Sequence, residues 1–346
     1  MTFQCNICRS KQIGKAALRG DGKRILFCMD CGMGTIENPP ESTGEFYEDG
    51  YYGGNAEGHG YADYHMTAEH TQLWVRLMVE AIRSSGRILD IGCADGYMLS
   101  RLPKGYELFG IEANVSATEQ AKAKGITVLS NDIAALSDSA ERFDVISSIA
   151  TFEHVLDFRQ AFDLSLRSLK PDGVLIFDVP LMSESEDNRD WLNASYEHIS
   201  YPTVSGMQRL FSELPAYCRG FESKIRGFSS TYIGLASPDE EAFNHADQLF
   251  EAMTAPTLSG LTPAQRCLNL SYHVVHGFDP NYERIAALPE MAKSMDINDL
   301  MPHLCRLWLS DSLLAERSAF AEQQAKNWRA AYDQLLRDTT APAQTK

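Results

Sequence analysis

Positive charge is scarce in this 346-residue chain: 31 Lys and Arg stand against 47 Asp and Glu, a formal net charge of -16. That excess repels phosphate backbones and acidic lipid surfaces, so nucleic acid is excluded as an expected partner. Long apolar runs are missing as well, and none approaches the roughly 20 residues that span a bilayer as a helix. The sequence opens without a secretory apolar core, because Cys5 and Cys8 arrive almost at once. Repeats and low-complexity tracts are absent apart from the polar stretch 338–346, for which disorder is expected. These absences point to a cytoplasmic chain with no membrane span.

Cysteine is present where it can act in a group. Cys5-Asn6-Ile7-Cys8 is followed, after nineteen intervening residues, by Cys28-Met29-Asp30-Cys31, while Cys93, Cys218, Cys267 and Cys305 stand singly. Two C-x-x-C knuckles at this distance supply four thiolates for a tetrahedral zinc, and Arg24-Ile25-Leu26-Phe27 gives the strand into the second knuckle. The alternative is a redox dithiol or a pair of disulfides, disfavoured in a reducing compartment. Four Cys close the coordination shell, so residues 1–36 read as a zinc ribbon with a structural Zn2+, a module for docking or substrate contact.

The run Ile88-Leu89-Asp90-Ile91-Gly92-Cys93-Ala94-Asp95-Gly96-Tyr97 is a buried strand turning sharply into a helix, with backbone amides exposed at its tip. Asp90 and Asp95 make this turn acidic, suited to a ligand with an amino group or cation and unsuited to a pyrophosphate. Gly92 and Gly96 with Ala94 between them fall short of a full GxGxxG pattern. Further strands follow at Glu107–Glu112, at Ile126–Leu129 before Asn131-Asp132, at Phe143–Ile149 before Phe152-Glu153-His154, and at Gly173–Pro180 after a Lys170–Gly173 turn. Alternating with helical stretches, they predict βαβ units, a parallel sheet and ligands along its carboxyl ends.

Taken together, the DIGCADG turn, the Glu112 strand end, Asn131-Asp132, FDVISS, FEHV and LKPDGVLIFDVP resemble the class I S-adenosylmethionine-dependent methyltransferases over roughly Gly86 to Ser237. The resemblance implies an α/β fold, a Rossmann-like seven-stranded sheet over residues 66–237. A helix at Ser205–Leu214, a strand at Glu222–Phe228 and a final antiparallel strand at Ser230–Ala236 complete it. It further implies S-adenosylmethionine as cofactor, with Asp90, Gly92, Cys93, Asp95 and Gly96 around the methionine part. Glu112 would take the ribose hydroxyls, and Asn131 and Asp132 would lie beside the adenine. Ala94 replaces the frequent middle glycine.

Between ribbon and sheet, residues 37–65 interleave glycines with aromatics, a lid or an aromatic strap in which Tyr51, Tyr52 and Tyr61 are candidate contacts. Ribbon, linker and core together resemble bacterial methyltransferases of deoxysugars and surface polysaccharides. In the carbon-methylating members a Tyr-His-Glu-His stretch supplies the base; here Glu197 and His198 match while Ser195-Tyr196 departs. A proton must leave a hydroxyl acceptor, and His198 with Glu197 orienting it, plus His154 or Glu153 on the substrate side, are the candidate groups. The expected substrate is a small molecule or carbohydrate, methylated on a hydroxyl of a sugar, sugar nucleotide or polysaccharide precursor. Carbon methylation of a deoxysugar and a methyltransferase-like scaffold remain open alternatives.

Residues 238–337 read as helical: Ala242–Met253, Pro263–His276, a run around Ile285–Met295 and a long helix from about Leu300. Leu314, Ala321, Trp328 and Leu335 recur every seven residues, but Arg317 and Gln324 interrupt the seam. Such a face suits docking to another chain, as a homo-oligomer or partner contact, or to its own domain. His273 and His276 form an H-x-x-H without a third ligand nearby in sequence.

Overall fold

The computed structural model describes residues 3–40, 47, 51–52, 64–182, 195–224 and 230–276. Tyr61, the helices expected after His276, the C-terminal seam and the tail lie outside the described residues. At the N-terminus β1 (Ile13–Leu18) and β2 (Arg24–Cys28) form an antiparallel hairpin, and β3 (Gly34–Ile36) pairs with β2. The helix expected from Met66 to Ser84 is instead two, α1 (Tyr64–Thr71) and α2 (Leu73–Ile82), joined at Gln72. No Gly or Pro marks the joint, so apolar spacing alone cannot reveal it.

β4 (Gly86–Ile91), α3 (Tyr97–Ser100), β5 (Tyr106–Ile111), α4 (Val115–Ala123) and β6 (Thr127–Ser130) build the first half of the main sheet. β7 (Phe143–Ile149), α5 (Phe158–Ser168) and β8 (Leu169–Pro180) follow. β7 and most of β8 are covered on both faces, which is why they read as near-continuous apolar runs. Asp157 caps α5 by accepting the Gln160 amide, and Phe158, Ala161, Phe162 and Ser165 form its buried stripe. The expected Lys170–Gly173 turn is absorbed into β8: Leu169 pairs with Phe143 and the register then shifts, a bulge that holds Pro171 and Asp172 at the surface.

A two-residue strand, β9 (Ser200–Tyr201), and α6 (Val204–Phe211) lead to β10 (Tyr217–Lys224) and β11 (Ser230–Ser237). β10 starts earlier than its own apolar pattern predicts, because β11 pairs with it from Tyr217↔Ser237 to Lys224↔Ser230. Two helices, α7 (Glu240–Thr254) and α8 (Pro263–His276), close the described chain. Among the described residues no helix is long and apolar enough to cross a membrane.

The seven-stranded sheet runs β10-β11-β8-β7-β4-β5-β6, with β11 antiparallel to both neighbours and the other six strands running in one direction. The fold class is therefore the expected α/β, with a mixed seven-stranded sheet. Successive strands leave β4 in opposite directions, so the β4/β7 boundary is a topological switch point where a crevice opens at the carboxyl ends. One face of the sheet packs Phe152, Phe158, Phe162 and Phe177, and Cys5, Ile7 and Met33 from the N-terminal segment join that same core. The opposite face carries Trp74 and Met78 of α2 with Phe250 of α7 and Leu268 of α8. β9, more than 160 residues downstream in the chain, is the fourth strand of the N-terminal sheet, paired as Gly34↔Tyr201 and Thr35↔Ser200.

Gly96 enters α3 at φ +76, and a Cβ there would lie 2.0 Å from Ile126 Cδ1. Gly96→Ala should cost about 2 kcal/mol or more in left-handed strain and repacking; urea unfolding of the two proteins checks it, and equal midpoints would contradict it.

Candidate active site at the carboxyl ends of the parallel strands

The crevice above β4 and β7 holds a cavity of about 240 Å³. Its floor is the turn after β4. Gly92 sits at φ +80, where a Cβ would come 2.1 Å from Thr151 Oγ1, so its lack of a side chain lets the β7 loop close against the turn. Ala94 takes the left-handed conformation at φ +49. Its strain is offset locally, because its amide donates to Glu112 Oε2 at 2.8 Å. The Asn114 amide donates to Glu112 Oε1 at 2.7 Å and the Tyr52 hydroxyl reaches the same atom at 3.3 Å. Burial raises the Glu112 carboxyl above its ordinary value, with these amide bonds opposing it.

Gly92, Glu112, Asn131 and Asp132 line the cavity, each at a strand end as expected. Asp132 also accepts the Ala134 amide at 2.8 Å, capping a one-turn helix. Asp90, Cys93, Asp95 and Gly96 are not among the lining residues; they hold the turn from beneath. Asp90 is 5% exposed and accepts Ser147 Oγ at 2.7 Å; burial, reinforced by the Glu112 charge, pushes it up to about 7. Asp95 meets His65 Nε2 and Lys124 Nζ, each at 2.5 Å, and accepts the Tyr97 amide. Burial works against its ionisation, yet His65 and Lys124 hold its carboxyl below the ordinary range. The Cys93 thiol faces away, against Gly110, where a Cβ would lie 2.4 Å from its Sγ.

The opposite wall carries Thr151 and His154, from the loop and short helix after β7. Behind His154 lies a buried polar group that the sequence placed in two distant segments. His154 Nε2 is 3.4 Å from Glu153 Oε1, His198 Nε2 is 3.9 Å from the same oxygen, and the two rings meet edge to face at 4.8 Å. Glu197 accepts the Tyr51 hydroxyl at 3.0 Å. Neither Glu153 oxygen has a hydrogen bond among the described residues, and His154 is the nearer of the two imidazoles beside it. Burial lowers His154, but Glu153 and Glu197 outweigh it and its affinity for a proton is raised. His198 is driven well below the usual imidazole value by burial, by His154 and by Arg19. The two imidazoles thus differ: His154 lines the cavity and has a raised proton affinity, while His198 lies behind it with a lowered one.

An aromatic roof covers both walls. Tyr47, Tyr51, Tyr52 and Tyr64 line the cavity and meet edge to face in series, at 5.1, 5.0 and 4.9 Å between centroids. Tyr47 and Tyr64 escape sequence reasoning because nothing distinguishes them from other rings of the linker. Thr151, His65 and Lys124 escape it too, being recruited by folding from segments without a motif.

The four N-terminal thiols also converge. Cys5 Sγ lies 3.4 Å from Cys31 Sγ and Cys8 Sγ 3.5 Å from Cys28 Sγ, and all four sulfurs fall within 4.8 Å of one another. Edges near 3.8 Å are what a tetrahedron of about 2.3 Å metal–sulfur bonds requires, so the donor set fits a thiolate-bound ion. Glu153, His154 and His198 meet the same 4.8 Å criterion.

The α/β sheet thus carries at its switch point a crevice walled by strand-end carboxylates on one side and a buried His/Glu pair on the other. Residues 62–214 match the family model described as a methyltransferase domain. Among curated proteins, cyclopropane-fatty-acyl-phospholipid synthase of Escherichia coli is 30% identical over 116 residues, covering 31% of this chain and 30% of that protein. Ubiquinone biosynthesis O-methyltransferase of Coxiella burnetii is 27% identical over 146 residues, covering 40% of this chain and 57% of its own length. The chain thus spans less than two thirds of these relatives. The solved YcgJ protein of Bacillus subtilis aligns with a TM-score of 0.43 and 16% identity, over 49% of this chain and 99% of that one.

Asp90 binds its proton more tightly folded, at about 7, than in its ordinary state near 3.8. The stability this contributes is complete below that ordinary value and is lost as pH rises through 7. Asp90→Asn should therefore be more stable than wild type at pH 8, on the order of 2–4 kcal/mol, with the gap closing toward pH 4. Urea unfolding at both pH values checks this; a pH-independent difference would contradict it.

Proposed function

We propose that the protein transfers the methyl group of S-adenosylmethionine to a hydroxyl of a sugar, sugar nucleotide or polysaccharide precursor. The observation that carries this is one cavity with strand-end carboxylates on the cofactor side and the Glu153–His154 pair on the other. When bound, the cofactor supplies an electrophilic methyl on a positively charged sulfur. Glu112 fits its ribose hydroxyls, since its side chain is fixed by two amides at the cavity edge. Asn131 and Asp132 fit the adenine edge, and the glycine surface at Gly92 leaves room for the methionine part. Asp90 lies beneath, where its ionised form favours a sulfonium and an amino group, while the Asp95 charge is already met by Lys124.

On the acceptor side His154 takes the hydroxyl proton at Nδ1, the ring nitrogen without a hydrogen bond among the described residues, Glu153 against Nε2 stabilises the resulting imidazolium, and His198 with Glu197 forms the supporting layer. The tyrosine roof excludes water from the in-line path. Transfer to oxygen accords with the O-methyltransferase among the relatives; the sugar rests on the ribbon, linker and Glu197-His198 pattern. In the ribbon, Cys5, Cys8, Cys28 and Cys31 hold a structural Zn2+.

Labelled methyl from S-adenosylmethionine should enter a sugar-containing fraction of polysaccharide precursors, with Asp90→Ala as the blank. Label confined to lipid, quinone or peptide fractions would overturn the sugar assignment. His154→Ala should lower kcat about 10²–10⁴-fold. In wild type the acid limb of kcat/KM should lie above 6.5, since Glu153 raises His154. A large loss in His198→Ala with His154→Ala near wild type would transfer the base role to His198. Elemental analysis should find one zinc per chain; a second equivalent removed by His154→Ala would make Glu153, His154 and His198 ligands instead of proton carriers.

A further inference from the structure

Arg19 stands at the turn of the β1–β2 hairpin, in an Arg-Gly-Asp-Gly sequence that reads as a solvated turn. Its side chain is nevertheless completely buried. Nη1 donates to the His198 carbonyl at 2.9 Å and to the Tyr201 hydroxyl at 2.8 Å, while Nε and Nη2 grip both oxygens of Asp21 at 2.9 and 2.7 Å. The guanidinium also lies over the Tyr196 ring, 5.5 Å from its centroid. All of these partners but Asp21 belong to the segment that carries Glu197 and His198.

That segment is tied to the N-terminal domain at further points. Ile36 donates its amide to the Ile199 carbonyl, Asn6 Nδ2 reaches Ser200 Oγ at 3.1 Å, and β9 pairs with β3. On its other side the Ile199 amide donates to the Glu153 carbonyl, coupling it to the short helix that bears His154. The chain of contacts runs from the hairpin through residues 196–201 to the cavity wall.

We infer that Arg19 is a positioning residue for the His198–His154 pair, which makes the N-terminal ribbon part of the active site and not only a docking module. Its planar fork fixes the backbone at His198 and the Tyr201 hydroxyl of β9 in one geometry, which a lysine cannot reproduce. The charge works in the same direction: a buried cation beside His198 disfavours protonation of its ring. Among the described residues, the groups facing that ring include His154, Glu153, Tyr201 and Arg19, and removing the Arg19 charge shifts it upward.

This inference rests on the proposed roles of His154 and His198, and its test separates the two. Hydrogen exchange by mass spectrometry and imidazole titration by NMR would be measured on wild type, Arg19→Gln and Arg19→Lys, beside S-adenosylhomocysteine affinity. Arg19→Gln should speed exchange in residues 196–201 at least tenfold, leave β4 and β5 protected, raise the His198 titration and keep affinity within about twofold. Arg19→Lys, retaining charge but not the fork, should restore the His198 titration while leaving exchange fast. Unchanged exchange and titration in Arg19→Gln would overturn the role of Arg19. If Arg19→Gln does not fold, Arg19→Lys decides: slow exchange at 196–201 in that variant overturns the inference. Failure of wild type to bind S-adenosylhomocysteine would instead remove the methyltransferase reading while the exchange result stands.

Discussion

Two carboxylates buried at the ends of adjacent parallel strands are the constraint on which the cofactor side depends. The β4–β5 register sets Asp90 opposite Gly110 and Ile91 opposite Ile111, so Glu112 follows one step beyond the ladder. An acid in an apolar sheet is tolerated only when its oxygens are satisfied. Ser147 does this for Asp90, and the Ala94 and Asn114 amides do it for Glu112. The left-handed backbone at Gly92 and Ala94 is the geometric consequence, since that turn is what aims the Ala94 amide at Glu112. Both acids remain harder to ionise than usual, a cost suited to a ligand that arrives with positive charge and hydroxyl donors.

The acceptor side is built differently. Its groups come from a short helix after β7 and from a segment after β8, and neither position is fixed by the main sheet alone. The segment after β8 is instead completed by the N-terminal domain, through β9 in its four-stranded sheet and through Arg19. Thiol convergence therefore bears on more than local folding: the knuckles that fix β2 and β3 also set the strand against which Tyr201 pairs. The small N-terminal sheet gains stability by sharing a core, with Cys5, Ile7 and Met33 packed into the aromatic cluster below the main sheet.

Most of the sheet was legible in the sequence because strands buried on both faces are apolar runs, and because Asp90, Glu112 and Asp132 mark their ends. The four thiols were legible from spacing alone. What escaped depends on partners rather than local pattern. The Gln72 break has no helix-breaking residue, and the early start of β10 is imposed by β11. Pro171 and Gly173 spell a turn but are carried inside a bulged strand. In the site, Asp95 looked like a ligand contact and is held by His65 and Lys124 from two other elements. Cys93 sits between two residues of the acidic turn, and only the fold shows that its thiol lies against Gly110. Arg19 carried no signal, since an arginine in a Gly-Asp turn has the composition of a solvated loop.

The most direct test of the account is calorimetric titration of S-adenosylhomocysteine into wild type and into Glu112→Gln, with circular dichroism confirming that the variant folds. The account predicts saturable one-site binding by wild type and at least a tenfold loss in Glu112→Gln, because the strand-end carboxylate holds the ribose. Absence of binding to wild type at millimolar ligand, or equal affinities in the two proteins, would contradict it.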